Sequence, residues 1–184
     1  MYSDDEVDMR KFFEDVLKLP YKGNSQDNPE HENQVEELLI KHGLKYVAQP
    51  NGIQNSPDFH VYYNGAVISL ECKSTAGAKP TYNGGLPKKG VIYILGSKKY
   101  NATTIYYADD VVSDDMRQAY DDLIDALDKV VKTFQDSPVV KACTRGFNFY
   151  MRAMYTQAGK WMATDYFRHE DRERCEQNVL NTAW

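Results

Sequence analysis

The stretch SPDFHVYYNGAVISLECKST, residues 56–75, decides the fold expected for this chain. Asn64-Gly65 separates two runs rich in β-branched and aromatic residues, and this dipeptide strongly favours a two-residue type I′ turn. In the antiparallel register that such a turn sets, Asp58 lies opposite Glu71. The stretch therefore predicts a β-hairpin whose open end carries two carboxylates.

Alternation along the hairpin separates an apolar face from a polar face. The apolar face holds Phe59, Val61, Tyr63, Ala66, Ile68, Leu70 and Cys72. The polar face holds Asp58, His60, Tyr62, Val67, Ser69, Glu71 and Lys73. We expect the apolar face to enter the core, and the side chains of Glu71 and Lys73 to lie on a solvent-facing surface.

Two carboxylates directly opposed across a strand pair repel each other unless a positive charge lies between them. Mg²⁺ suits such a pair, because it takes one or two protein carboxylates and keeps water or phosphate oxygens in its other positions. Lys73 points to the same side, where it can polarise an attacking water or offset charge on a phosphate. The residues also allow an ordinary half-exposed hairpin in which Lys73 pairs with Glu71 or Asp58.

The remaining sequence predicts helices before and after a group of strands. Helices are expected over residues 4–18, residues 30–42 and from Ser113 to about residue 135, and strands over residues 44–48, 58–63, 66–74, 91–95 and 103–108. In the long helix, Met116, Tyr120, Leu123, Leu127, Val130, Val131 and Phe134 recur at three- and four-residue spacing. This periodicity indicates an amphipathic helix, and we expect its apolar face to be a core face.

This order predicts an α/β fold with a central mixed β-sheet flanked by helices. Repeats, low-complexity tracts and linkers are lacking, so residues 1–184 are expected to form one domain. Its core is expected over about residues 30–135, followed by a helical C-terminal extension over residues 137–184.

Composition excludes several classes of protein. Mean hydropathy is −0.64 and no apolar run approaches about 18 residues, so a membrane span is not expected. The acidic start does not resemble a signal peptide, and three widely spaced cysteines indicate neither a zinc site nor a disulfide framework. A reducing, cytoplasmic setting is expected.

The net charge of −5 argues against a protein that coats nucleic acid, although residues 73–99 contain six lysines and no carboxylate.

Pro57-Asp58 followed by Glu71-Cys72-Lys73 resembles the signature of the PD-(D/E)XK nuclease superfamily. Members of this superfamily usually carry a glutamate near the start of the preceding helix, and Glu32 resembles that residue. The resemblance covers roughly residues 30–135 and implies a restriction-endonuclease-like core. It implies that Asp58 and Glu71 ligate Mg²⁺ and that Lys73 helps to activate water, with Glu32 as an auxiliary ligand or a water-orienting carboxylate.

The segment after the triplet resembles the corresponding part of type II restriction endonucleases. On this resemblance, Asn83, Lys79, Lys88 and Lys89 would approach the backbone or base edges of double-stranded DNA. In the tail, Arg145 and Arg152 are further candidates for DNA contact.

The leading prediction is a Mg²⁺-dependent, sequence-specific endonuclease of the restriction type. Cleavage of both strands of a palindrome calls for two symmetry-related sites, so a homodimer is expected. A structure-specific, nicking or repair nuclease of the same fold is the alternative within the enzymes. A non-catalytic DNA-binding module is the alternative outside them.

Overall fold

The computed structural model describes residues 7–23, 29–53, 55–146, 148–156 and 165–184. Its helices are α1 (Met9–Val16), α2 (Pro29–Lys41), α3 (Ala108–Val111), α4 (Asp114–Gln135), α5 (Pro138–Lys141) and α6 (Arg172–Leu180), and a 3₁₀ turn covers Tyr166–Arg168. Its strands are β1 (Lys45–Ala48), β2 (Phe59–Tyr63), β3 (Ala66–Thr75), β4 (Thr81–Tyr82), β5 (Val91–Ser97), β6 (Ala102–Tyr107) and β7 (Tyr155–Thr156). Within the described ranges, no helix is both long enough and apolar enough to cross a membrane.

Five strands form one mixed sheet in the order β1-β2-β3-β5-β6. All neighbours are antiparallel except β3 and β5, which run parallel. The connection between these two strands, residues 76–90, contains β4, which pairs with β7 in a separate two-stranded sheet. The predicted α/β class, with a central mixed sheet flanked by helices, is confirmed.

The β2–β3 hairpin has the predicted register, with Tyr63 paired to Ala66 and Phe59 paired to Leu70. The φ angles of Asn64 and Gly65 are 48° and 78°. Both residues of a type I′ turn require positive φ, which asparagine and glycine tolerate best. Local turn chemistry therefore sets which side chains share a face of β3.

Hydrophobic clusters cover both faces of the sheet. Along β5, Ile92 and Ile94 belong to one cluster, whereas Val91, Tyr93 and Leu95 belong to the other, as alternation along a strand requires. The first cluster contains the buried residues of α1, Val35 and Leu39 of α2, and the apolar side chains predicted for the hairpin except Ala66, which is exposed beside the turn. Four of the nine buried residues in the second cluster are tyrosines, which come from β4, β5, β6 and the 3₁₀ turn.

The apolar face of α4 is not a core face, and that prediction is wrong. The helix begins after Ser113, as predicted, and the hydroxyl of Ser113 accepts a hydrogen bond from the Met116 amide at 3.2 Å. However, no residue of α4 is buried by the described part of the chain. Leu123 is 47% exposed and Phe134 is 64% exposed. Periodicity reports that one side of a helix is apolar, but it does not report what covers that side.

The two ends of the chain also differ from the prediction. Helix α1 is shorter than residues 4–18, because the Asp8 carboxylate accepts a hydrogen bond from the Arg10 amide and caps the helix there. The predicted helical C-terminal extension is helical only in α5, the 3₁₀ turn and α6, while residues 148–154 have no regular structure. Val7 packs against the main core, and Val179 and Leu180 lie within it. Residues 4–6, 147 and 157–164 of these predicted elements lie outside the described residues.

Candidate active site

Asp58 joins β3 through its side chain. The β2–β3 ladder ends at the pair Phe59–Leu70, one residue short of Asp58, so the predicted direct opposition of Asp58 and Glu71 is not a ladder pair. Instead, Asp58 Oδ2 accepts a hydrogen bond from the Cys72 amide at 2.7 Å. This bond fixes the Asp58 carboxyl beside the strand segment that carries Glu71 and Lys73.

Glu71 and Lys73 form a partly buried ion pair. Lys73 Nζ donates a hydrogen bond to Glu71 Oε1 at 2.7 Å. Glu71 is only 6% exposed, so the expectation that its side chain lies on a solvent-facing surface is wrong. The reason is that residues 82–88 of the connection to β5, together with Tyr93, line the same side of the sheet.

The second carboxylate oxygen of Glu71, Oε2, is buried and has no hydrogen-bond partner among the described residues. A buried ionised oxygen without a partner is energetically unfavourable. A cation, or a ligand that carries water, would therefore be stabilising next to Glu71 Oε2.

Three carboxyl groups share this region of negative potential. The pKa of Asp58 is raised to about 7, chiefly by burial and secondly by the charge of Glu71, while the hydrogen bond from Cys72 opposes the shift. Burial and the same Glu71 charge also raise the pKa of Glu32, which lies on α2. Lys73 lowers both pKa values, but its single charge does not balance three carboxylates. The region is therefore electrostatically short of positive charge.

Helix α2 places Glu32 through its neighbour His31. The His31 ring is fully buried, and its Nε2 lies 3.3 Å from the carbonyl oxygen of Ile94 on β5. Burial lowers the pKa of His31, so the ring is neutral at physiological pH. His31 thus has a packing role, and it holds the first turn of α2 against the sheet.

A cleft of about 240 Å³ opens beside Glu71 and Lys73. Three of the residues predicted to contact DNA, namely Asn83, Lys88 and Arg152, line the same cleft. Arg152 comes from the distant tail, and its Nε donates a hydrogen bond to the carbonyl oxygen of Asn83 at 3.1 Å. The structure therefore brings two cations, an amide and the ion pair together around one concave surface.

Three other predicted DNA-contact residues, Lys79, Lys89 and Arg145, do not line this cleft. Lys89 pairs with Asp114 at 2.5 Å and lines a neighbouring groove. Lys79 is half-buried near the end of β3, and Arg145 is exposed in the turn after α5. The lysine run after β3 is thus distributed over several surfaces rather than over one.

Sequence reasoning missed two tyrosines of the cleft, Tyr82 and Tyr93. Tyr93 lies next to Glu71 in the parallel β3–β5 register, and its hydroxyl accepts a hydrogen bond from the Lys88 amide at 3.0 Å. Tyr93 therefore supports the backbone that carries Lys88. The signal was absent from the sequence, because the β3–β5 pairing and its register depend on a 15-residue connection without local turn chemistry.

The donor set fits a hard divalent cation held by few protein ligands. Across the described ranges, no three His, Cys, Asp or Glu side chains are grouped as a metal site. Asp58 and Glu71 nevertheless offer two carboxylates, one of them with a buried oxygen that lacks a partner. This set matches Mg²⁺, which needs only one or two protein carboxylates when water and phosphate oxygens complete its coordination.

Neither the protein-family models nor the curated proteins compared with this chain give a match.

Proposed function

We propose that this chain is a Mg²⁺-dependent endonuclease that hydrolyses phosphodiester bonds in double-stranded DNA. The observation that supports this most is the Glu71–Lys73 ion pair beside Asp58, at one wall of a cleft that also carries Lys88 and Arg152. The cleft presents the Glu71 carboxylate, with Asp58 held beside the same strand, for a cation and basic side chains for phosphates, which suits a polyanionic substrate.

The roles of the residues follow from their positions. Asp58 and Glu71 would hold Mg²⁺, which supplies Lewis-acid activation of water and neutralises charge on the scissile phosphate. Lys73 Nζ uses one donor for Glu71 and retains others for a water molecule or a phosphate oxygen. Glu32, whose pKa the charge of Glu71 raises, would accept a hydrogen bond from a water and orient it.

The cleft walls would bind the DNA backbone. Lys88 and Arg152 are both exposed, so their charges reach solvent and can meet phosphates. Asn83 is exposed between them and carries both a donor and an acceptor, which allows contact with a base edge.

The narrower proposal is a sequence-specific type II restriction endonuclease that acts as a homodimer. Such an enzyme needs modest affinity for general DNA, and the acidic net charge of −5 is consistent with this requirement. A resolvase or a repair enzyme that clamps branched DNA would be expected to present a broad basic surface.

Incubation with DNA tests both levels of the proposal. Purified protein is mixed with phage-length duplex and with supercoiled plasmid, in Mg²⁺ and in EDTA, beside the isosteric Glu71→Gln variant. Discrete Mg²⁺-dependent fragments that are lost in the variant would support a restriction enzyme. Nicked circles without discrete fragments would favour a structure-specific or nicking nuclease over a restriction enzyme. Intact DNA in every lane would refute the nuclease proposal in favour of a binding module.

A further inference from the structure

The hydroxyl group of Tyr93 has an unused donor at the wall of the cleft. This hydroxyl accepts a hydrogen bond from the Lys88 amide at 3.0 Å, and both residues line the cleft. Among the described residues, no acceptor takes the phenolic proton. The other cleft tyrosine differs, because the hydroxyl of Tyr82 pairs with the hydroxyl of Tyr106 at 2.8 Å. Tyr93 is therefore the cleft tyrosine that can donate to a ligand.

Packing fixes the direction of the Tyr93 ring before a ligand binds. The ring stacks on the ring of Tyr106, with centroids 5.7 Å apart and an interplanar angle of 7°. It also meets the ring of Tyr82 edge-on, with centroids 5.6 Å apart. Burial raises the pKa of Tyr93 well above its usual range, so the hydroxyl keeps its proton at physiological pH. A donor that is held in place and protonated in this way loses little conformational freedom on binding and is preorganised for a negative charge.

The register of β3 and β5 places Tyr93 beside the Glu71 carboxylate. The two residues are partners in the parallel ladder, and both line the cleft, so their side chains lie on the same side of the sheet. Because neighbouring strands are about 4.8 Å apart, a ligand that contacts Glu71 from the cleft is one strand away from Tyr93. Glu71 Oε2 and Ser56 Oγ, which also belong to cleft residues, are buried without a hydrogen-bond partner among the described residues. The cleft wall thus offers several polar groups to a ligand.

The charges around the cleft favour an anionic ligand. Three cationic side chains line it, namely Lys73, Lys88 and Arg152. Among the described residues that line the cleft, Glu71 is the only carboxylate, and it is already paired with Lys73. A phenol donor beside such cations suits the oxygen of a phosphate ester, because hydrogen bonds to charged acceptors are about twice as strong as neutral ones.

We propose that the Tyr93 hydroxyl donates a hydrogen bond to a charged oxygen of a phosphate ester bound in the cleft. Tyr93 is then a binding residue as well as a support for the Lys88 backbone. The contact is made to phosphate and not to a base, so it is the same for every nucleotide sequence. That the phosphate ester is the DNA backbone rests on the proposed function, whereas the contact itself does not require cleavage. The proton stays on Tyr93 throughout.

Titration of the ¹⁵N-labelled full chain with a thymidine dinucleotide, which contains one phosphodiester, tests the contact. NMR spectra recorded in EDTA give the dissociation constant without metal and without cleavage. Tyr93→Phe removes only the hydroxyl and is expected to weaken binding by about 10-fold, the loss typical of one hydrogen bond to a charged group. Tyr106→Phe removes a buried hydroxyl outside the cleft, so it is the matched control and is expected to bind like the wild type. Circular dichroism verifies that both variants are folded.

Two further titrations separate a direct contact from an effect through Lys88. In a Lys88→Gln background, Tyr93→Phe is expected to cause the same further loss of affinity as in the wild type. No further loss would reduce Tyr93 to a support for Lys88 and overturn the proposal. A dinucleotide with a neutral methylphosphonate linkage should be less sensitive to Tyr93→Phe, because its acceptor oxygen carries no charge. Equal sensitivity for the two linkages would also overturn the proposal.

The binding and cleavage experiments give separate answers. A wild-type chain that does not bind the dinucleotide at millimolar concentration, or a Tyr93→Phe variant that binds like the wild type, would overturn the inference even if the protein cuts DNA. Tyr93-dependent binding by a chain that leaves DNA intact would refute the proposed function and support the phosphate contact.

Discussion

Lys73 Nζ lies 2.7 Å from Glu71 Oε1, and this ion pair leaves Glu71 Oε2 buried without a hydrogen-bond partner among the described residues. The pair is therefore incomplete as a structural element. If its only role were to stabilise the fold, both carboxylate oxygens would be expected to have partners. The free oxygen, and the nearby Asp58 carboxyl held by Cys72, give the pair the form of a site that receives a ligand.

Glu71→Gln is expected to reduce DNA cleavage by at least about 100-fold, because it removes one of two metal-binding carboxylates. The fold should persist, since the amide keeps the size of the side chain and can still accept a hydrogen bond from Lys73. The measurement is the rate of plasmid cleavage, with circular dichroism as the check on folding. Lys45→Gln, at an exposed position of β1 outside the cleft, is the control and should retain most of the cleavage rate. Wild-type cleavage by Glu71→Gln would remove the residue from the mechanism.

Lys73→Met should lower the free energy of unfolding by about 1–3 kcal/mol, because it leaves the buried Glu71 carboxylate without its counter-charge. The double variant Glu71→Gln with Lys73→Met should recover part of this loss, since the uncompensated charge is then gone. Urea denaturation of the four proteins gives the coupling free energy. Strictly additive losses would show that the two side chains do not interact in solution.

The titration of Asp58 makes stability depend on pH. Its folded-state pKa of about 7 lies above the ordinary value of 3.8, so the folded chain binds more protons than the unfolded chain between these values. The free energy of unfolding should therefore fall as pH rises from about 4 to 7, and the loss is complete above pH 7. Asp58→Asn should reduce this pH dependence of the free energy of unfolding without abolishing it, because Glu32 contributes in the same direction. Urea denaturation at pH 5 and pH 8 measures the effect. An equal change in the free energy of unfolding between these pH values for the wild type and Asp58→Asn would contradict it.

Millimolar Mg²⁺ should raise the melting temperature at pH 8 and have less effect at pH 5. The ion binds the ionised carboxylates, and at the lower pH it must compete with the proton on Asp58. Thermal melts with and without EDTA provide the comparison. The Asp58→Asn and Glu71→Gln variants should lose the response. Equal stabilisation of all three proteins by Mg²⁺ at both pH values would instead indicate a general ionic effect.

Turn chemistry made the hairpin predictable, because Asn64-Gly65 and strict alternation act over neighbouring residues. The placement of Asp58 was less predictable, since the ladder ends one residue earlier and a side-chain hydrogen bond to Cys72 replaces the expected pairing. Residues brought together by long connections could not be predicted at all. Arg152 reaches the cleft from the tail only because β7 pairs with β4.

The difference between local sequence signals and long-range packing also explains the wrong prediction that the apolar face of α4 is a core face. Its periodicity predicts the boundaries and the apolar side of the helix from local sequence alone. Whether that side faces the chain's own sheet or another surface depends on how residues 108–113 direct the helix. Here no residue of the helix belongs to either core cluster, and its apolar side remains largely exposed.

Arg152→Ala should weaken binding of double-stranded DNA and lower the slope of log affinity against log salt by about one. Arg152 lines the cleft, so the loss of its charge is expected to remove a phosphate contact for every DNA sequence. Arg145→Ala is the matched control, because it removes an exposed arginine outside the cleft. Binding is measured by fluorescence anisotropy in EDTA, which prevents cleavage. Equal losses in the two variants would assign DNA binding to the general surface rather than to the cleft.

Gly96→Ala should destabilise the fold by about 1–3 kcal/mol, because an added Cβ would lie 3.2 Å from Cε1 of the buried His31 ring. The ring is fully buried and its Nε2 lies 3.3 Å from the carbonyl oxygen of Ile94, so it has little room to move. Any displacement would shift the first turn of α2, and with it Glu32. Combination with His31→Ala, which vacates the space, should cost less than the sum of the two single losses. Urea denaturation measures the four free energies, and Gly77→Ala, where a Cβ meets open space, serves as the control.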